Sequence, residues 1–303
     1  MTSNVCRTEY NVPMKNYTSM KTGGIAKTVF FPKNEKEMSD TVKLMHSNGR
    51  KYVVFGNLSN VLVPDEGFDI PVVMTGGMSN TRTLSEDEEK TLIYADCGAS
   101  YTKLALDCCK AGLSGLEFAY GIPGTVGGAV IMNAGAYGGE TKDVVQSVTA
   151  VGPDGAVHEF SNSLCGFDYR KSVFSDGEFV VTGAVFRLTR KNADECVAAA
   201  KEFMSRRVEK QPLEYPSCGS TFKRPEGFFA GALIEKSGLK GANVGGAYIS
   251  EKHAGFVINK ENGSTKDVVS LMKLVSDKVF MDSGVRLEPE IRMYDKNGEP
   301  IEL

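Results

Sequence analysis

The 303 residues carry a formal net charge of −3, with 41% hydrophobic and 24% charged residues, the composition of an ordinary folded protein rather than a disordered or fibrous one. No basic patch dominates, which speaks against a nucleic-acid surface, and no apolar run approaches the ~20 residues that a bilayer crossing needs. A chain of this length builds two or three cores. Seven cysteines are odd in number, lack Cys-x-x-Cys spacing and follow a Met1-Thr-Ser-Asn start without a secretory signal, so they read as reduced thiols of a cytoplasmic protein, used as small buried hydrophobes. His46, His158 and His253 are scattered along the chain, which predicts no metal site.

In chain order, Lys27 to Phe31 reads as a strand, and Asn34 caps a helix to Ser47 with Glu35 and Glu37 in its first turn. Lys51 to Phe55 returns as a strand, completing a β-α-β unit. It delivers the loop Gly56-Asn57-Leu58-Ser59-Asn60 ahead of a second apolar run, Val61 to Val63. Backbone N–H groups, the Ser59 hydroxyl and the amides of Asn57 and Asn60 suit phosphate oxygens without any lysine. Glu86 to Glu89 reads as a solvated turn. A strand from Thr91 to Asp96 leads to a helix capped by Ser100 and ended by Gly112.

The stretch from Gly121 to Gly139 holds seven glycines, against 33 in the whole chain. Glycine at this density lets something bulky approach the backbone. Thr125 to Asn133 predicts a short helix of small residues, whose free N–H groups after Pro123-Gly124 would receive an anion such as a diphosphate. A close-packed turn would use the same glycines. Neither a Walker loop nor Gly-x-Gly-x-x-Gly is present. A hairpin follows, Asp143 to Val151 and Ala156 to Phe160 around Pro153-Asp-Gly155, then a long strand from Gly177 to Leu188.

Lys191-Asn192 marks a boundary. Beyond it the pattern predicts a helix from Ala193 to Lys210 stopped by Pro212, a short helix near Gly231 to Ser237 and strands at Gly245 to Ile249 and Gly255 to Asn259. A helix from Ser264 to Asp282, opened by the capping-box relative Ser264-x-x-Asp267, precedes a last strand from Leu287 to Tyr294. Arg170, in Tyr-Arg-Lys-Ser, stands on a loop, and its guanidinium has the fork geometry that binds a carboxylate; a plain surface arginine has the same signature. Ser217, Cys218 and Ser220 are equivalent as residues, with no histidine spaced to make any of them a hydrolase nucleophile. Glu288, Glu290 and Arg292 share one strand face.

Five strings, Gly121-Ile-Pro-Gly-Thr-Val-Gly-Gly, Asn133-Ala-Gly-Ala-Tyr-Gly, Tyr169-Arg-Lys-Ser-Val-Phe, Tyr215-Pro-Ser-Cys-Gly-Ser-Thr-Phe-Lys-Arg-Pro and Leu287-Glu-Pro-Glu, occur in this order. With them the chain resembles, from about Asn16 to Tyr294, the UDP-N-acetylenolpyruvoylglucosamine reductase family of flavoenzymes. The resemblance implies an α+β chain: a two-subdomain FAD-binding fold of the vanillyl-alcohol-oxidase (PCMH) type at 1–80 and 81–190, and a C-terminal α+β substrate-binding domain at 191–290, with 291–303 returning to the first subdomain. It implies non-covalent FAD against Gly56, Asn57, Ser59, Asn60, Gly121, Pro123, Gly124, Thr125, Gly127, Gly128, Asn133, Gly135 and Ala136. NADPH would donate hydride, and a nucleotide sugar, UDP-N-acetylglucosamine enolpyruvate, would accept it.

The same resemblance assigns Arg170 to the substrate carboxylate, selects Ser220 as proton donor and Glu290 as the third catalytic group, and gives Tyr169, Lys210 and Arg224 to the nucleotide sugar. The expected protein is a monomer or weak oligomer with no nucleic-acid or membrane partner. Two departures stand out. Leu58 occupies a position where many relatives have glycine, and Leu188 passes directly to the Ala193 helix without the tyrosine-bearing insertion of one family type. Other readings are an oxidase of the same fold with covalent flavin, which needs a His or Cys tether beside the loops, and a non-catalytic flavin- or nucleotide-sugar-binding module.

Overall fold

The computed structural model describes residues 5–303; the Met1-Thr-Ser-Asn start, read above for its lack of a secretory signal, lies outside the described residues. The chain forms two compact units. The first consists of Val29–Asn57 and Val72–Arg207, with the described residues that precede Tyr10. Its helix α1 (Glu35–Ser47) begins where the cap predicts: the Asn34 side chain accepts the Glu37 N–H at 2.9 Å, and Met38, Val42 and Met45 bury one face. The β-α-β unit forms, with a correction. A strand at Val72–Met74, not foreseen, inserts between its two strands, so the sheet runs Arg7–Pro13, Ile25–Phe31, Val72–Met74, Val53–Phe55, with Val72 in parallel register with both Val29 and Val53. Three residues are too few to show a period.

The larger sheet of this unit is antiparallel, in the order Val157–Ser161, Val145–Val151, Val180–Arg190, Lys90–Asp96, Thr81–Glu86, with Leu113–Ser114 beside the far end of the long strand. The predicted hairpin is there, pairing Val151 with Val157. The long strand starts three residues late because Gly177 turns with φ of 83°. Thr81–Glu86 is exposed at every residue, so this edge strand carried no alternation to read. Helix α2 (Tyr101–Lys110) is capped by Ser100, α3 is Val126–Ile131, and α4 is Ala193–Lys210. Phe186, Leu188, Val148 and Tyr101 lie in the core against them.

The second unit gathers Tyr10–Thr28, Leu58–Pro71 and Val208–Leu303. It contains α5 (Ala230–Lys236), α6 (Thr265–Ser283) and a small antiparallel sheet of Asn243–Val244, Ala247–Ile249 and Val257–Asn259. Val268, Leu271, Met272, Val275 and Val279 form the apolar stripe of α6 and are fully buried, in a core that includes Met20 and Leu62. The expected last strand is shorter than read. Arg292–Met293 pairs in parallel with Val61–Leu62, while ahead of it Pro289 makes only an isolated antiparallel bridge to Phe222.

The N-terminus of α6 is closed twice. Ser264 and Asp267 make the reciprocal capping box, while the Asp65 carboxylate accepts the N–H groups of Thr265 at 2.8 Å and Lys266 at 2.9 Å. Asp65→Ala strands both donors and lowers stability by about 1 kcal/mol, read from the urea midpoint. The Ser264 backbone N–H holds the Asp267 carboxyl below its ordinary value of 3.8. Its contribution is therefore present above pH 3.8 and lost as pH falls through the lowered value, so the stability deficit of Asp267→Asn shrinks in acid.

Candidate functional site

The first unit brings two glycine-bearing loops into contact. A Cβ built on Gly56, just past the strand Val53–Phe55, would lie 2.3 Å from the Thr125 hydroxyl, so the loop after that strand abuts the entry to α3. Gly128, by contrast, faces open room, its nearest neighbour being the Thr125 hydroxyl at 3.6 Å. Two adjoining bends without bulky side chains fit a large flat group such as a flavin. Gly121 also packs against α4: with φ of 90°, its Cβ would meet the Met204 sulfur at 2.7 Å, and its carbonyl accepts Arg207 Nη1 at 2.8 Å.

One expectation is corrected here. The first N–H groups of α3 are not free: Val126 donates to the Ala99 carbonyl at 2.9 Å, Gly127 to that of Cys97 at 2.7 Å, and Gly128 to the Thr125 hydroxyl at 3.3 Å. The helix docks its first turn on the chain at Cys97 to Ala99, and that docking consumes the donors an anion would need. Asn133 is likewise engaged. Fully buried, it donates to Glu140 Oε2 and the Asp168 carbonyl, both at 3.1 Å, and accepts the Lys142 N–H at 3.0 Å.

Leu58 explains its own departure. It has a left-handed φ of 48°, which suits glycine and costs leucine about 1–2 kcal/mol; its side chain is buried, which returns about as much. Asn60 donates its amide to the Glu290 carbonyl and accepts the Arg292 N–H, each at 3.0 Å. It joins the loop to the end of the chain within the second unit. Ser59 is half-buried.

Arg170 sits in a tight turn closed by mutual backbone bonds between Asp168 and Lys171, with its own φ at 55°. A left-handed arginine is a strained residue of the kind that collects at functional sites. Its guanidinium lies 4.9 Å over the exposed Tyr169 ring, and Nη2 donates to the Gly135 carbonyl at 3.3 Å.

The second unit joins Ser220 and Glu290. Thr221 donates its N–H to the Gly255 carbonyl and accepts the Glu290 N–H at 2.9 Å, so the residue after Ser220 is in register with the glutamate. The four candidate donors in this string separate by burial. Cys218 is buried, which pushes its thiol up to about 12, and its Sγ donates to the Val61 carbonyl; Thr221 is buried and accepts the Val257 N–H; Ser217 is half-buried; Ser220 is exposed, after Gly219 with φ of 76°. Lys210 is exposed at the end of α4. Arg224 stacks 4.1 Å over Phe229, and Phe228 and Phe229 are both exposed. The sequence reading gave no role to Tyr137, inside the glycine segment, whose ring stacks on Phe203 of α4, or to Arg207, which reaches the segment from α4 through the Gly121 carbonyl and carries no local signal of doing so. No cluster of metal-ligating side chains occurs among the described residues.

Comparison with known proteins adds identity to this geometry. An FAD binding domain model matches residues 26–161, and the model of the UDP-N-acetylenolpyruvoylglucosamine reductase C-terminal domain matches residues 211–294. The UDP-N-acetylenolpyruvoylglucosamine reductase of Caldicellulosiruptor saccharolyticus is 43% identical over 95% of this chain and 92% of its own length. That of Agathobacter rectalis is 44% identical over 93% and 92%. The crystal structure of UDP-N-acetylenolpyruvylglucosamine reductase (MurB) from Thermus caldophilus matches with a TM-score of 0.82 and 34% identity, covering 95% of this chain and 99% of that one. The FAD-binding fold and the separate C-terminal domain thus follow each other as the resemblance implied, and the chain belongs to the UDP-N-acetylenolpyruvoylglucosamine reductase family.

Proposed function

We propose that this chain, with FAD and NADPH, reduces UDP-N-acetylglucosamine enolpyruvate to UDP-N-acetylmuramate, a step of peptidoglycan precursor synthesis, in the cytoplasm. Supporting it most directly, in a chain of this family, is the exposed Ser220 one residue from the backbone pairing of Thr221 with Glu290. FAD, when bound, would supply the redox chemistry, the route by which hydride from NADPH reaches the enol-ether carbon distal to the carboxylate. Arg170 binds that carboxylate through its planar fork and stabilises the charge that spreads onto it. Ser220 gives its proton to the carbon beside the carboxylate, so that one hydride and one proton saturate the double bond. Glu290 supports the charged intermediate together with Arg170.

In this reading the bends at Gly56, Asn57, Ser59, Asn60 and at Gly121, Pro123, Gly124, Thr125, Gly127, Gly128, Gly135 and Ala136 line the cofactor, while Asn133 braces them. Tyr169, Lys210 and Arg224 hold the nucleotide sugar. The functional divisions at 1–80, 81–190 and 191–290 and a monomeric or weakly associated state belong to the same proposal. No helix among the described residues is long and apolar enough to cross a membrane. The test is one optical experiment. The purified protein shows flavin absorbance, loses it with NADPH under nitrogen, and regains it on adding the enolpyruvyl nucleotide. A colourless protein, or bleaching that the nucleotide does not reverse, rejects the reading.

A further inference from the structure

The segment after α3 carries a device that its glycines do not explain. Gly135–Ala136 and Gly139–Glu140 pair as a small antiparallel hairpin. Tyr137 and Gly138 at its tip both have positive φ, 54° and 88°, the pattern of a tight hairpin turn that normally takes Asn-Gly. A tyrosine there is costly unless its side chain is held. It is held by α4: the Tyr137 ring lies flat on Phe203, centroids 4.8 Å apart and planes 8° from parallel, and the Arg207 guanidinium, one helical turn further on, lies beside its hydroxyl.

Arg207 is itself unusual. It is only 8% exposed, and burial pulls its pKa down. Its guanidinium donates to a neutral oxygen, the Gly121 carbonyl, and faces the Tyr137 hydroxyl, while Nε is buried without a partner among the described residues. A buried unpaired donor costs about 1–3 kcal/mol, a cost at odds with a residue kept for stability alone. At the hairpin's other end, the Gly135 carbonyl accepts Arg170 Nη2, and Asn133 fastens the turn that carries Arg170 through the Asp168 carbonyl. The chain of contacts therefore runs from α4 through the hairpin to the guanidinium.

We infer that Tyr137 and Arg207 are positioning residues for Arg170, the hairpin acting as a strut fixed to α4 at its tip and holding the arginine at its base. This rests on the reading of Arg170 as the carboxylate binder. Loss of the strut lets the guanidinium drift, and a misplacement near 1 Å costs on the order of 100-fold.

The test compares two ligands on the FAD-loaded protein: the enolpyruvyl nucleotide and UDP-N-acetylglucosamine, which lacks the carboxylate. Tyr137→Ala is expected to weaken binding and turnover of the first by about 10- to 100-fold, with affinity for the second, FAD content and rate of NADPH reduction unchanged. Tyr137→Phe, which keeps the stack, recovers most of the loss, and Arg207→Lys gives a milder version of it if the alanine variant folds poorly. Combined with Arg170→Ala, Tyr137→Ala adds nothing further. Equal weakening of both ligands, loss of FAD, or an additive double variant overturns the strut. If Arg170→Ala alone shows no carboxylate-specific loss, the reading of Arg170 fails, which is a separate result.

Discussion

Ser220→Ala is expected to leave reduction of the protein by NADPH unchanged and to slow its reoxidation by the enolpyruvyl nucleotide by about 3 to 5 kcal/mol of barrier. The direction follows from chemistry. A hydroxyl is a weak acid, but the carbanion or enolate made by hydride addition is a strong base, so a correctly placed serine suffices and its removal leaves only water. The specificity of the prediction comes from burial: of the four candidates between 217 and 221, Ser220 alone is exposed, while Cys218 and Thr221 point their side chains at backbone groups of the interior. Stopped-flow absorbance separates the half-reactions. Equal slowing of both would remove Ser220 from the role of acid.

Gly98→Ala is expected to be the most damaging single methyl group in the first unit. Its Cβ would fall 1.9 Å from the Thr75 carbonyl and 2.6 Å from that of Met78, both backbone atoms that cannot rotate away. Relief requires moving the main chain, at about 3 kcal/mol or more. The consequence reaches the cofactor loops, because the residues on either side, Cys97 and Ala99, accept the N–H groups that dock α3. Lower melting temperature and loss of bound flavin should appear together. Gly76→Ala, with no atom within 4 Å of its Cβ, serves as the control and should change stability by less than about 0.5 kcal/mol. A Gly98→Ala protein as stable as that control would refute the steric account.

The sequence was most legible where structure is local. Asn34, Ser100 and Ser264 cap the helices they were expected to cap, because a cap needs only its own three neighbours. It was least legible where a partner is distant. The strand Val72–Met74 is defined by the neighbours it enters between, and Thr81–Glu86 by an edge it alone occupies. The donors of α3 looked free because their acceptors come from another segment. Arg207 follows another basic residue, Arg206, on α4, and nothing local ties it to Gly121, 86 positions away. Ser217, Cys218 and Ser220 are equivalent by residue type, and the sequence carried no sign that they differ in burial, with Ser220 the exposed one.

The second unit is assembled from three stretches, the last of which begins at Val208. Synthesis runs from the N-terminus, so Met20 and Leu62 leave the ribosome well before Leu271 and Val275, the α6 residues of their shared core. At about 5–20 residues per second, these early apolar side chains wait on the order of ten seconds or more for their cover. Truncation anywhere before α6 should therefore yield a chain that holdase chaperones retain, whereas the complete polypeptide is released.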